Sequence, residues 1–291
     1  MKVYEQDNTV IIEDIKDFDP KHIFECGQCF RWIKEDDKSY TGVAKGRVIN
    51  VSKEGNKVLL KNTNLDDFNN IWVRYFDLDR NYDEIKSKIS ENDEILKEAV
   101  GFAPGIRILN QDRFECLISF IISQNNRIPM IKKVIANISR KYGKYIGVFN
   151  DTEYYAFPTA EELAAADEAG LMECKTGFRA KYIMDAVKKV IDGEIVFDCD
   201  AMDTDSLRNM LMTIKGVGPK VADCAMMFSF GRCETFPTDV WVKRIMSELY
   251  FGGREASIKE IHSKADECFG EYAGFAQQYL FNYARQFKIG V

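Results

Sequence analysis

The sequence has little positive charge to spare. Its 40 lysines and arginines are outnumbered by 46 aspartates and glutamates, for a net charge of −6. Taken alone, that balance argues against a nucleic-acid partner, since such domains are often basic. Histidine is scarce, with only His22 and His262. Cys26 and Cys29 have metal-ligand spacing, but no second pair follows at a suitable distance, so no zinc site is expected. The eight cysteines show no regular spacing, which excludes a disulfide framework and fits a reduced interior. No apolar run is long enough to span a bilayer. The opening MKVYEQDNTVIIEDI carries acids early and lacks the apolar core of a signal peptide. The expectation is a cytoplasmic protein. There is no internal repeat and no low-complexity linker.

What is present is ordinary in amount: 46% hydrophobic and 30% charged residues over 291 positions, enough for about two domains and a sizeable core. Charge is unevenly spread. Residues 127–150 hold no acid but contain Arg127, Lys132, Lys133, Arg140, Lys141 and Lys144; residues 151–174 hold no base. Two solvated helix faces would account for this, and so would one positive surface on an acidic protein.

The first ninety or so residues read as short strands: Val10–Ile12, Phe30–Trp32, Tyr40–Val43, Val48–Val51 and Val58–Leu60, separated by turn-like stretches. Around Ile85 the pattern becomes helical. Phe114–Ile122 is apolar on nearly all sides and predicts a buried helix ending at Asn125-Asn126. Pro129 suits the first turn of the next helix, with Ile131, Ile135 and Ile138 as its buried stripe. Thr159 and Glu162 make a capping box. The expected fold is α+β: an N-terminal antiparallel sheet domain over residues 1–95, then a two-lobed helical domain over residues 96–291.

The most informative stretch is Leu211-Met-Thr-Ile-Lys-Gly-Val-Gly-Pro-Lys-Val-Ala-Asp-Cys224. A helix leads in from about Ser206, Gly216 and Gly218 break it, and a second helix starts near Pro219. This is a helix-hairpin-helix over about 206–230. Two glycines around one apolar residue expose backbone N–H groups at a helix start, where a DNA phosphate can bind at Gly216, Gly218 and Lys220. The same pattern also serves as a plain helix–helix turn. The positive end of the helix disfavours an ammonium at Lys220, and a lysine relieved of its charge can act as a nucleophile; a solvated surface lysine is the alternative. Cys224 follows one turn later on the same face. Asp239 comes nineteen residues after Lys220, in Phe236-Pro-Thr-Asp239-Val-Trp, before the amphipathic run Val242, Ile245, Met246 and Leu249. It reads either as a simple N-cap or as a carboxylate kept ionised beside a developing positive charge.

With these residues in place, the chain resembles the 8-oxoguanine DNA glycosylases of the helix-hairpin-helix superfamily along its whole length. Cys26-Gly-Gln-Cys-Phe-Arg-Trp32 resembles the family's glycine-containing strand. Leu117–Asn126 resembles its asparagine-ended buried helix. Gly177-Phe-Arg-Ala-Lys-Tyr182 resembles its wedge segment. Gly216–Cys224 resembles its catalytic hairpin, and Gly274–Phe281 its last helix. The resemblance implies a bifunctional glycosylase and abasic-site lyase, monomeric, acting on double-stranded DNA that contains 8-oxoguanine, and nucleoid-associated if bacterial. Lys220 would attack the sugar C1′ and Asp239 would stabilise positive charge there. Gly27, Cys224, Gln277 and Phe281 would form the pocket of the flipped base. Asn125 and Arg179 would face the estranged partner base, and Phe178 would wedge into the stack.

The resemblance further implies no required cofactor. It allows a structural monovalent cation on backbone carbonyls near Met212, Ile214 and Val217. Cys224, Cys233 and Cys268 are too few and too widely spaced for an iron–sulfur cluster. Two positions depart from the family. Met130 stands where better-known members have an arginine facing the partner base, so a relaxed opposite-base preference is expected. Trp241 stands where they have a histidine near a phosphate. Two rival readings remain: an alkylpurine glycosylase without a lyase step, against which Lys220 argues, and a non-catalytic helix-hairpin-helix module, against which Asp239 and the pocket residues argue.

Overall fold

In the computed structural model, which describes residues 1–289, β1 (Lys2–Gln6), β2 (Thr9–Glu13), β3 (Trp32–Lys34), β4 (Tyr40–Ala44), β5 (Arg47–Glu54) and β6 (Lys57–Lys61) form one antiparallel sheet. Its order is β1-β2-β6-β5-β4-β3. Alternation sets the face that is buried: Val10 and Ile12 of β2 and Val58 and Leu60 of β6 are fully covered, and Ile12 pairs with Val58. The third strand starts later than the apolar run Phe30–Trp32 suggests. Only Trp32 of that run joins the ladder, opposite Gly42, where any side chain would collide with the indole ring.

Helix α1 (Pro20–Phe24) starts at Asp19, whose carboxylate accepts the Lys21 amide at 2.9 Å, with Pro20 in the first turn. It lays Phe24 on Trp32, ring centroids 3.8 Å apart. Helical structure then returns earlier than Ile85. Helix α2 (Leu65–Asp67), a π turn over Phe68–Trp72 and α3 (Val73–Tyr75) cover the sheet. Phe68, Trp72, Tyr75 and Phe76 share one helical face and all are buried. That aromatic spacing is the signal the strand-rich surroundings mask.

The rest is almost wholly helical: α4 (Tyr82–Ser90), α5 (Glu94–Phe102), α6 (Arg113–Ser123), α7 (Ile128–Tyr142), a hairpin of β7 (Tyr145–Phe149) and β8 (Thr152–Tyr155), then α8 (Ala160–Leu163), α9 (Glu168–Glu173), α10 (Ala180–Ile191), α11 (Thr204–Met212), α12 (Pro219–Ser229), α13 (Val240–Tyr250), α14 (Ile258–Phe269) and α15 (Ala273–Phe287). The β7–β8 hairpin is not apparent in the sequence. Packing divides these helices into two lobes. Helices α6 to α12 contact one another, while α4, α5 and α13 to α15 form the second group. The fold is thus α+β, a sheet unit followed by a two-lobed helical unit.

Gln28 ties the sheet unit to the helices. Fully buried, its amide donates to the carbonyls of Ile23 and Arg107, and its oxygen accepts the Leu109 amide at 2.9 Å. Gln278 of α15 donates to the Cys26 carbonyl at 2.6 Å. Residues 26–28 are therefore held against the last helix. Gly27 lies in this irregular segment rather than in a strand.

The charge segregation is partly undone by the fold. The acidic stretch folds back onto the basic one: Arg140 pairs with Glu153 at 3.5 Å, Lys141 with Glu173 at 2.7 Å and Lys144 with Glu162 at 3.0 Å. Lys132 donates to the Trp32 carbonyl at 2.5 Å. Exposed pairs of this kind contribute little stability each, but they offset the charge of three of the six basic residues of that stretch.

Candidate active site

Helices α11 and α12 meet in the glycine hairpin. Gly216 has φ +78°, and a side chain there would start 2.5 Å from the Tyr182 ring, so both backbone and space demand glycine. Gly218 is the N-cap of α12 and Pro219 opens it. The Lys215 amide donates to Asp185 of α10 at 2.8 Å and pins the turn. Among the described residues, the amides of Gly216, Gly218 and Lys220 donate to no protein acceptor, leaving the N–H cluster of an anion site. The Met212 and Val217 carbonyls likewise accept no backbone hydrogen bond among the described residues, whereas that of Ile214 accepts the Val217 amide at 3.0 Å. Unengaged carbonyl oxygens fit a hard cation.

Lys220, half buried, lies in the first turn of α12. Its Nζ is 5.2 Å from the centre of the Phe120 ring on α6. Cys224 is buried, and burial pushes its thiol up to about 11; the Lys220 charge opposes that rise and the Asp239 carboxylate adds to it. The thiol thus senses both residues singled out from the sequence. Asp239 is the N-cap of α13, accepting the Val242 amide at 2.8 Å. Lys220 and Asp239 sit on different lobes, and buried Cys224 lies within the electrostatic reach of both.

A second group converges from the sheet unit and α15. Gly27 has φ +87°, and a methyl group there would sit 3.0 Å from Phe281 and 3.7 Å from Nη1 of Arg285. Gln277 is buried; its Nε2 donates to the Pro237 carbonyl at 3.2 Å, while its Oε1 has no partner. A buried acceptor without a donor is costly and points to a ligand that supplies one. Arg285, four residues after Phe281 on the same helical face, was missed in the sequence; that spacing was the signal.

A third group surrounds the end of α6. Asn125 has φ +47°. Phe178 is 50% exposed at a 3-10 turn, edge-on to Tyr182. Arg179 is buried, its guanidinium 4.4 Å over the Phe178 ring. Met130, on the first turn of α7, is exposed. Trp241 follows Asp239 with Arg244 over its ring.

The surface also holds open clefts. One of about 840 Å³, lined by Lys45, Arg74, Arg113 and Arg232, sits at the start of α6 and the end of α12, away from the hairpin. At the proposed base pocket Phe281 lies close to Gly27, 3.0 Å from where a Cβ would stand.

Comparison with known proteins identifies the family. Residues 10–117 match the family of the 8-oxoguanine DNA glycosylase N-terminal domain, and residues 118–270 match the HhH-GPD superfamily of base excision DNA repair proteins. The N-glycosylase/DNA lyase of Saccharomyces cerevisiae is 30% identical over 90% of this chain and 82% of its own length. A solved 8-oxoguanine glycosylase/lyase from Clostridium acetobutylicum, in complex with double-stranded DNA containing cytosine opposite 8-oxoG, is 46% identical, covers 99% of both chains and has a TM-score of 0.95. The structure of MBOgg1 with a low affinity DNA ligand is 51% identical over 99% of both chains, also at a TM-score of 0.95.

Proposed function

The chain belongs to the HhH-GPD superfamily of base-excision DNA repair proteins and carries the 8-oxoguanine DNA glycosylase N-terminal domain, and from that premise we propose how its residues carry out excision. The protein is a bifunctional N-glycosylase and abasic-site lyase that removes 8-oxoguanine from duplex DNA. It works as a monomer in the cytoplasm and needs no cofactor. The sheet unit supplies one wall of the pocket, and the helical unit, which α4 and α5 join, supplies the rest.

The observation that carries the reading is Lys220 at the start of α12, beside unpartnered hairpin amides and in the electrostatic reach of Cys224 and, through it, Asp239. The glycosidic bond is inaccessible in a stacked duplex, so the nucleotide must be flipped out. Its phosphate sits on the Gly216, Gly218 and Lys220 amides. The Lys220 amine forms a bond to C1′ as the C1′–N9 bond breaks and the base leaves with the bonding pair. Asp239 stabilises the positive charge that develops at the sugar. The C1′–O4′ bond then breaks, O4′ taking up a proton that Nζ loses, and the opened sugar remains as an imine on Nζ; loss of a C2′ proton from it expels the 3′ phosphate with the C3′–O bonding pair.

Phe281 must swing from Gly27 to admit the base, which then stacks between Phe281 and Cys224. The unpartnered Gln277 Oε1 accepts an N–H from its pairing edge. The Gly27 carbonyl accepts the N7–H that 8-oxoguanine has and guanine lacks. With guanine, two acceptors would face each other, costing about 1–3 kcal/mol. A cation on the Met212, Ile214 and Val217 carbonyls would stiffen the hairpin.

Borohydride trapping on duplex DNA containing 8-oxoguanine tests the reading. A covalent product at Lys220 is expected. Excision without trapping would support the water-activating rival, and binding without either would support the non-catalytic one.

A further inference from the structure

The cleft at the start of α6 gathers positive charge that the fold leaves uncommitted. Its volume is about 840 Å³, within the range of small-ligand sites. Four cations line it from separate parts of the chain: Lys45 in the β4–β5 turn, Arg74 on α3, Arg113 at the start of α6 and Arg232 just after α12. Arg113 is committed to structure. It pairs with Asp200, donates to the Phe197 carbonyl and lies over the Phe230 ring. Lys45 and Arg74 stand in no ion pair among the described residues. Arg232 donates through Nη2 to the Asp200 carbonyl at 3.0 Å, but its Nε is buried without a partner. A buried donor left empty is costly unless something from outside the chain accepts from it.

Like charges held together repel one another. Partial desolvation lowers the Lys45 ammonium; the carboxylates of Asp112 and Glu115 oppose that, and the guanidiniums of Arg74 and Arg113 add to it. The acids of the cleft do not cancel the surplus. Asp112 caps α6, accepting the Glu115 amide at 2.9 Å, and Asp200 is held by Arg113. That leaves Asp198 against Lys45, Arg74 and Arg232. Phe197 and Phe230, ring centroids 6.2 Å apart, add an apolar wall beside the cations.

Helices α6 and α12 pack together, and the cleft touches the first turn of one and the last turn of the other. Asn125 and Lys220 lie at the opposite ends, an 11-residue helix away, or about 16 Å. The cleft and the hairpin can therefore be occupied at the same time.

We propose that this cleft binds a nucleotide-sized phosphate ester, its phosphate on Lys45, Arg74 and Arg232 and its ring against Phe197 and Phe230. The site is separate from the one that excises the base and does not depend on the excision reading.

The test is calorimetric titration of the intact protein with ADP, inorganic phosphate and adenosine. Each titration is run on the protein alone and on protein saturated with a duplex carrying an uncleavable abasic analogue, which fills the hairpin. ADP should bind once per chain under both conditions, with Kd below about 1 mM. Phosphate and adenosine should each bind at least about tenfold more weakly, since each makes half of the contacts. Lys45→Ala combined with Arg74→Ala removes two exposed side chains. It should weaken ADP by about tenfold or more and leave the rate of 8-oxoguanine excision within about twofold of wild type. Three results overturn the proposal: no ADP binding, binding abolished by the duplex, or unchanged affinity in the double variant. Inorganic phosphate binding as tightly as ADP overturns the placement of the ring, and adenosine binding as tightly overturns the role of the cations.

Discussion

The Asp239 carboxylate accepts the Val242 amide through Oδ1 at 2.8 Å and so caps α13, while Oδ2 makes no hydrogen bond to the protein among the described residues. Capping and catalysis therefore draw on different oxygens. Asp239→Asn keeps the cap, because asparagine caps as well as aspartate. It removes the charge that stabilises the sugar cation. Excision should drop on the order of a hundredfold with the melting temperature nearly unchanged. Asp239→Ala should lose activity and also about 1 kcal/mol of stability. Single-turnover rates beside thermal melts decide this: an asparagine variant that melts early yet keeps its rate would leave Asp239 as a cap alone.

Lys220→Gln retains a side chain of similar length beside the Phe120 ring and removes the amine. Excision, strand cleavage and borohydride trapping should all disappear, while affinity for lesion DNA stays within several-fold, since the Gly216 and Gly218 amides are untouched. Substantial excision in a single-turnover assay would remove Lys220 from the nucleophile's role.

Gly27→Ala meets two obstacles at once. The φ of +87° strains any L residue, and the new methyl would stand 3.0 Å from Phe281. The backbone penalty is about 1–2 kcal/mol. Relief by rotation of the peptide would swing away the carbonyl that reads N7–H. Selectivity for 8-oxoguanine over guanine should narrow along with the rate, measured as excision from matched duplexes. A uniform slowing with selectivity intact would place the N7 contact elsewhere.

Met130 is 41% exposed on the first turn of α7 and has no donor to offer a partner base. Arginine donates to cytosine through a fixed fork. Met130→Arg should raise the preference for cytosine over the other partners by about ten- to a hundredfold, the equivalent of one charge-assisted hydrogen bond of about 1.5–3 kcal/mol. Rates opposite all four bases provide the check. Equal rates before and after the substitution would exclude position 130 from the partner-base pocket.

Seven of the eight cysteines are buried and only Cys268 is exposed. Alkylation requires a thiolate that the reagent can reach. Burial pushes Cys224 up to about 11, so near pH 8 its thiol remains neutral as well as covered. Iodoacetamide should modify a single site, Cys268, and leave excision intact. Mass spectrometry showing rapid modification of Cys224 would mean that the pocket opens without DNA.

Local chemistry was readable in the sequence. Gly216, Gly218 and Pro219 suit a hairpin opening a helix, because glycine accepts the φ of Gly216 without strain and proline suits a first turn. Thr159 and Glu162 cap a helix wherever it is placed. The stretch Phe114–Ile122 could only be buried, given its composition. What lies between distant segments was decided by tertiary packing. Nothing in residues 127–174 shows that the acidic half neutralises the basic half, because the pairing depends on a hairpin that turns the chain back. The helical turns over Leu65–Tyr75 were hidden among strands until their aromatic face met the sheet. Arg179 looks from its place beside Phe178 like a residue aimed at DNA. In the structure it is buried, and its guanidinium satisfies the carbonyls of Gln124 and Asn125 at the end of α6. Backbone preferences act over a few residues and can be read in order along the chain; hydrogen-bond demand at a helix end is met by whatever the fold brings near.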